Sequence, residues 1–364
     1  MSNNLKHYDI DYVEIYCPMA KALAYWHTQA LGFVITACAE GANTSSYLLE
    51  SGNIRLVLTS AFPTGQTLIG NEVASFIAQQ YCGVRRLALA TDNVKETFGQ
   101  SIDNGAIPSR FPETLSDEQG EVEEAAIRLY DNSEIVFTNR AGYEGVFKPG
   151  YKAYRKGKEK TAHFTEVDHI AAELRINEIS YWTKYLTNAI GTQHVQSIQR
   201  SEDNRTGMIL NINQSADGKL TLVMAEAETY LHKSKVQQNI DRFGPGIHHL
   251  AFQTENIIQT TKALIEKEVD FVAFPPSYYE LLRGNADFEG IDIDALQEYG
   301  ILIDKEDETY LLQKFIKPIS DRPFFLYEIV QRVNGYNGFA LKNINVLKKA
   351  EEIEVMKAET KAAV

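Results

Sequence analysis

The sequence predicts an α+β protein of two tandem domains, each a curved sheet with helices on its outer side, followed by a C-terminal helix. Two observations carry this expectation. The chain has 364 residues and is 44% hydrophobic, enough for two ordinary cores. It also repeats itself at an offset of roughly 160 residues, too long for a solenoid period and right for a pair of similar domains.

The repeat defines the elements in order. "IDYVEIYCPMAKALAYWHTQALGF" (10–33) matches "VDHIAAELRINEISYWTKYLTNAIG" (167–191). Both read as a short strand and then a helix carrying Tyr-Trp at the same place. "YCGVRRLALATDNVKETFGQSIDNGA" (81–106) matches "GPGIHHLAFQTENIIQTTKALIEKEV" (244–269). Here a glycine, a β-branched residue, two polar residues and an apolar triplet form a strand. Thr, an acid and Asn follow, and then an amphipathic helix. The late strands "SEIVFTNR" (133–140) and "LYEIVQR" (326–332) also correspond. The expected domains are 1–150 and 160–364, with the basic run Lys152–Lys160 as a solvated linker. The last segment, "GFALKNINVLKKAEEIEVMKAETKAAV", has no counterpart in the first half. Leu341, Ile344 and Leu347 make it a helix that packs near its start and then runs into solvent.

Composition narrows the function classes. A net charge of −13 disfavours nucleic acid and anionic membrane surfaces, both of which reward clustered Lys and Arg. The N-terminus has no apolar h-region, and no apolar stretch approaches ~20 residues, so a cytoplasmic location is expected. The three cysteines, Cys17, Cys38 and Cys82, fit reduced thiols better than a disulfide framework.

The repeat also acts as an internal control. Tyr12 stands in the place of His169, Arg86 in that of His249, and Val136 in that of Glu328. Strand alternation puts His249 on one face with Ile247 and Ala251, and His248 on the other with Leu250 and Phe252. A buried imidazole needs a hydrogen-bond partner or a metal, and Glu328 could equally be ion-paired. Two imidazoles and a carboxylate on separate strands are nevertheless the components of a facial triad. Such a triad leaves positions open and suits non-haem Fe(II) handling O₂.

These residues carry a family resemblance. "DYVEIY", "ALGF" and "GNIRLVLTSA" in the first half point to it, as do "VDHI", "GPGIHHLAF", "PPSYYELL", "GILIDKEDETYLLQKF" and "FFLYEIVQR" in the second. With the closing "GF…N" helix, this ordered set resembles the 4-hydroxyphenylpyruvate dioxygenase and 4-hydroxymandelate synthase family of the vicinal oxygen chelate fold. The resemblance implies iron ligands at His169, His249 and Glu328, with Fe(II) as cofactor and O₂ as co-substrate. It implies that His248 replaces a glutamine among the substrate-binding residues, and that Gln313 and Phe315 line the substrate pocket under the terminal helix. It also places Ser234, Lys235, Leu326, Phe339, Asn343 and Ile344 at substrate-facing positions.

Several of these depart from the family pattern. Ser-Gln-Ile reads Ser234-Lys235-Val236, Asn-Glu-Pro reads Ala225-Glu226-Ala227, a Phe near the iron carboxylate reads Leu326, and Gly-Phe-Gly reads Gly338-Phe339-Ala340. Asn343-Ile344 matches the Asn-Ile of hydroxymandelate synthases rather than the Asn-Phe of ring-hydroxylating members. The expected reaction is oxidative decarboxylation of an arylpyruvate-type 2-oxo acid with hydroxylation of the same molecule, the benzylic product favoured over ring attack. The same chemistry on another 2-oxo acid is the alternative. A ring-cleaving extradiol dioxygenase shares the fold, but the "LLQ.F.KP" strand and the terminal helix argue against it. A non-catalytic binding protein is opposed by the intact triad. The resemblance further allows a homodimer formed through the first domain.

Overall fold

The computed structural model describes residues 8–62, 71–154, 163–198, 207–229 and 234–362. The first half holds strands β1 (Ile10–Tyr16), β2 (Val34–Glu40), β3 (Thr44–Ser51), β4 (Ile54–Ala61), β5 (Gly83–Ala90), β6 (Pro108–Asp117), β7 (Gly120–Leu129), β8 (Ser133–Asn139) and β9 (Lys152–Ala153). Its helices are α1 (Ala20–Ala30), α2 (Glu72–Gln80) and α3 (Val94–Asp103). The second half holds β10 (Val167–Leu174), β11 (Gln193–Ile198), β12 (Met208–Gln214), β13 (Thr221–Ala227), β14 (Gly246–Gln253), β15 (Leu302–Glu306), β16 (Thr309–Phe315) and β17 (Leu326–Val333). Its helices are α4 (Ile179–Ile190), α5 (Lys235–Phe243), α6 (Ile257–Ile265), α7 (Pro276–Arg283), α8 (Ile293–Tyr299) and α9 (Leu341–Ala362).

Each half forms one sheet. The orders are β6-β7-β8-β5-β1-β4-β3-β2-β9 and β11-β12-β13-β10-β14-β17-β16-β15, so the second sheet is the first read from its other edge, less β9. The register reproduces the repeat residue for residue. Tyr12 lies opposite Ala88 and Glu14 opposite Arg86, as His169 lies opposite Ala251 and Ala171 opposite His249. Val136 pairs with Ala88 as Glu328 pairs with Ala251. The repeated Thr-acid-Asn is a helix start in both halves. Asn93 and Asn256 cap α3 and α6 by accepting the Glu96 and Gln259 amides at 3.1 and 3.0 Å. Each cap contributes roughly 1 kcal/mol.

A large core joins the two halves. Phe33, Phe164 and Phe252 meet ring to ring at 5.4 to 6.2 Å, and His27 Nε2 lies 2.8 Å from the Tyr327 hydroxyl across the halves. The other faces of the sheets hold smaller clusters. In the first half these residues include Tyr12, Ala88, Val136 and Phe147; in the second, Ala171, Ile212, Val223 and Phe339.

Two expectations need adjustment. The basic run begins as strand, since Lys152 and Ala153 pair with Cys38 and Ala37 on the edge of the first sheet. An open sheet edge offers backbone partners to the chain leaving it. Residues 155–160 of that run lie outside the described residues. The C-terminal helix packs further along than its first turn: Leu347 joins the core, and Ala350 is fully buried and accepts the Ser277 hydroxyl at 3.0 Å. Met356 beyond it is exposed. No helix among the described residues is long and apolar enough to cross a membrane.

Candidate metal centre

Three neighbouring strands bring His169, His249 and Glu328 together on one face, their nearest ligand atoms all within 4.8 Å. Glu328 is fully buried, and its Oε2 lies 3.2 Å from His169 Nε2 and 3.1 Å from His249 Nε2. The other carboxylate oxygen, Oε1, accepts from Gln313 Nε2 at 2.7 Å. Burial opposes charge on Glu328, but the two imidazoles outweigh it and hold the carboxyl down at about 2. On His169 burial likewise opposes charge, while Glu328 and Asp168 raise the imidazole to about 9.

Two β-bulges shape this site. At each, one strand supplies an extra residue, so neighbouring side chains that would diverge come to the same side. Asp168 is the extra residue of β10, and it accepts from His169 Nδ1 at 2.8 Å. Its two oxygens also take the Arg332 guanidinium, at 2.6 and 2.8 Å. His248 is the extra residue of β14, and its Nδ1 lies 2.8 Å from His249 Nδ1. The expectation that alternation sends His248 to the face of Leu250 and Phe252 is thus corrected. Ile247 takes that face in its stead, within the large core. Burial and the neighbouring His249 hold the His248 imidazole down at about 3, so it is neutral.

The fit to a metal rests on Glu328. Among the described residues no donor meets its buried Oε2 in hydrogen-bond geometry, although two imidazole nitrogens face it. A buried carboxylate in that state is stabilised by a cation. Ligands on adjacent corners of an octahedral site with bonds of about 2.1 Å lie ~3 Å apart, close to the two separations observed. The donor set, two imidazoles and a carboxylate, suits Fe(II).

The remaining expected site residues divide. Phe315 stands edge-on to His249 at 5.8 Å and Phe339 edge-on to His169 at 6.0 Å. Leu326 is directly across from His249 in the register, and Ile344 packs beside Phe339. Asn343 is buried, donating to Gln313 Oε1 at 3.4 Å and accepting from the Tyr278 hydroxyl at 2.5 Å. Lys235 and Ser234 do not join this group. Ser234 caps α5 by accepting the Gln237 amide at 3.2 Å. The Lys235 side chain is 81% exposed, with its ammonium 2.7 Å from Glu351 on α9. The first turn of α5 turns this cation outward to an acidic partner, which is the solvent-facing alternative to a substrate contact.

The first half shows the same place filled differently. The Tyr12 hydroxyl donates to Glu124 at 2.9 Å, beside the Lys148 ammonium. Arg86, in the position of His249, pairs with Glu14 at 2.7 Å, Glu72 at 2.9 Å and Glu134 at 3.2 Å. Sequence reasoning missed Asp168 and Arg332, although their counterparts Asp11 and Arg140 are also paired, with Arg140 Nε 2.8 Å from Asp11 Oδ2. An acid and an arginine retained in both copies were the available signal.

No protein-family model matches the chain. It is 29% identical over 376 aligned positions to 4-hydroxyphenylpyruvate dioxygenase of Yarrowia lipolytica, covering 98% of this chain and 95% of that protein. It is 28% identical to the Tetrahymena thermophila enzyme of the same name, over 94% of this chain and 89% of that one. Among solved structures, a triple mutant of 4-hydroxymandelate synthase from Streptomyces coelicolor superposes with a TM-score of 0.83 at 24% identity, covering 95% and 98% of the two chains. A Mn(II)-bound glyoxalase from Novosphingobium aromaticivorans shares the fold at a TM-score of 0.51 and 11% identity, over 89% of this chain and 81% of that one. The relatives span nearly the whole chain and the paired sheets match in architecture: the chain is similar along its length to 4-hydroxyphenylpyruvate dioxygenases and shares the fold of 4-hydroxymandelate synthase.

Proposed function

We propose that the protein is an Fe(II)-dependent dioxygenase that decarboxylates an arylpyruvate-type 2-oxo acid and hydroxylates the same molecule at its benzylic carbon. The observation that carries the reading is the buried Glu328 Oε2, which faces two imidazole nitrogens and has no hydrogen-bond donor among the described residues. His169, His249 and Glu328 would hold the metal, which supplies the redox chemistry that lets O₂ react with a 2-oxo acid bound beside it.

The chain's own residues supply placement. Asp168 accepts the Nδ1 proton of His169, so that ring presents Nε2 to the metal, and Arg332 keeps Asp168 ionised and fixed. With Nε2 of His249 engaged, its Nδ1 carries the proton and donates to His248. Gln313 sets the Glu328 rotamer by donating to Oε1. Gln313 also answers to Asn343, and Asn343 to Tyr278, so a chain of amides and a hydroxyl runs from the carboxylate to the start of α9. Arg332 adds a second link, donating to the Gly338 carbonyl just before that helix. Closure of α9 over the site would thus be felt at both Glu328 and His169, while Phe339 and Ile344 help exclude water.

Benzylic attack is favoured by Ile344, which is narrower than a ring-stacking phenylalanine and leaves the substrate ring room to shift. We assign the first half a structural or self-association role, since its counterpart site is occupied by Tyr12, Arg86 and their ion pairs. The test is product identification after aerobic incubation of the Fe(II)-loaded protein with 4-hydroxyphenylpyruvate. 4-Hydroxymandelate supports the benzylic assignment. Homogentisate moves the chain to ring hydroxylation with the triad intact.

A further inference from the structure

The two halves differ at a second place, beneath the helix that precedes β5 and β14. In the first half, Tyr16 of β1 meets Phe76 of α2 edge to face at 5.4 Å, with Val73 completing an apolar plug. Equivalent positions in the second half are Glu173 of β10, Asn239 of α5 and Val236. The register agrees, since Tyr16 lies opposite Gly83 and Glu173 opposite Gly246. Two aromatic rings in one copy are thus replaced by a smaller polar pair in the copy that carries the triad.

Glu173 continues the row of His169 and Ala171 along β10, on the face of the sheet that holds the triad. It is 8% exposed, and its cross-strand neighbours, Ala225 and Gly246, offer little or no side chain to compete for the space beside it. Oε1 accepts from Asn239 Nδ2 at 3.2 Å and lies 3.9 Å from His248 Nε2. Oε2 is buried, and no donor among the described residues reaches it. A buried carboxyl oxygen left unpaired is costly, and the other half shows that the fold can fill this place with apolar rings. The polar pair is therefore a departure with a use. His248 stands between Glu173 and the triad, its ring centroid 5.1 Å from that of His249, so the orphaned oxygen sits one side chain beyond a metal ligand.

We propose that Glu173, held by Asn239 and flanked by His248, is the specificity-determining group for the end of the substrate remote from its 2-oxo acid, and that it takes a ring hydroxyl. This rests on the arylpyruvate reading above. Burial raises the Glu173 carboxyl to about 8, so at neutral pH it both donates and accepts, as a hydroxyl partner requires. A site built to bond a substrate hydroxyl discriminates against the analogue lacking it because its own buried group is then left unpaired.

The experiment is anaerobic calorimetric titration of Fe(II)-loaded protein with 4-hydroxyphenylpyruvate and with phenylpyruvate, which differ only in that hydroxyl. The wild type should bind the hydroxylated acid roughly 10- to 100-fold more tightly. In Glu173→Leu the ratio should fall to near one, through loss of affinity for the hydroxylated acid alone. Glu173→Gln keeps the shape and both hydrogen-bonding functions; it should retain an intermediate ratio and serves as the readout should the leucine variant not fold. A wild-type ratio retained in both variants overturns the assignment of Glu173 and leaves the activity standing. Failure of both acids to bind the wild type overturns the arylpyruvate reading, and the subsite with it.

Discussion

Replacing Asp168 by asparagine separates what a buried ion pair does for the fold from what it does for a metal ligand. Asp168 is nearly inaccessible and receives both a two-point contact from Arg332 and the Nδ1 proton of His169. Burial alone would raise its carboxyl, but the bonds from His169 and Arg332 reverse this and hold it well below the usual carboxylate range. Asp168→Asn leaves the partly buried Arg332 without the carboxylate it pairs with, which costs up to about 3–5 kcal/mol of stability. It also weakens the hydrogen bond that orients His169, and loss of such a partner lowers metal affinity about 10- to 100-fold. The first half contains the control: Asp11 occupies the equivalent bulge and pairs with Arg140 and Arg55, but the next residue is Tyr12. Asp11→Asn should therefore cost comparable stability in urea unfolding and leave Fe(II) affinity unchanged by calorimetry. Equal losses of metal affinity in the two variants, or none in Asp168→Asn, would refute the division of labour.

Other outcomes follow from the same geometry. Gln313→Leu removes the donor to Glu328 Oε1 and should weaken Fe(II) binding about 10- to 100-fold while the circular dichroism spectrum stays unchanged. Lys235→Ala breaks an exposed pair with Glu351 worth at most about 1 kcal/mol, so KM for the 2-oxo acid should stay within about twofold of wild type; a large rise in KM would restore Lys235 to the substrate site. Glu173 gives a pH signature with a definite sign. Its carboxyl is neutral in the fold up to about 8, so its contribution is fully present below the unfolded value near 4.5 and is lost as pH rises towards 8. Wild-type stability should fall by roughly 3 kcal/mol between pH 4.5 and 7 from this group, and Glu173→Gln should flatten that slope in urea titrations of the metal-free protein.

Much of the fold was legible because the chain states it twice. The correspondences Tyr12–His169, Arg86–His249 and Val136–Glu328 reappear as matching cross-strand partners, since a β-ladder preserves register wherever one face is buried. Strand alternation failed where a bulge inserts a residue. No periodicity marks His248 or Asp168 as the extra residue, yet both owe their contacts with the triad to that insertion. Lys235 and Ser234 stand apart from the triad for a different reason. A short segment aligned to a pocket motif does not say whether a helix starts within it, and here α5 starts at Lys235 with Ser234 as its cap. Glu173 falls opposite Tyr16 in the repeat, but what sets it apart is a buried oxygen that meets no donor among the described residues, which the sequence does not show.

The central claim is that one 2-oxo acid is both the source of electrons for O₂ and the molecule hydroxylated. Turnover of 4-hydroxyphenylpyruvate under ¹⁸O₂, in the wild type and in His249→Ala, tests it most directly. One CO₂ should be released per O₂ consumed, with both labelled atoms in the same product, one in the new carboxylate and one in the new hydroxyl, and none of this in the variant. Product lacking the second label, or turnover that requires a separate 2-oxo acid, would contradict it.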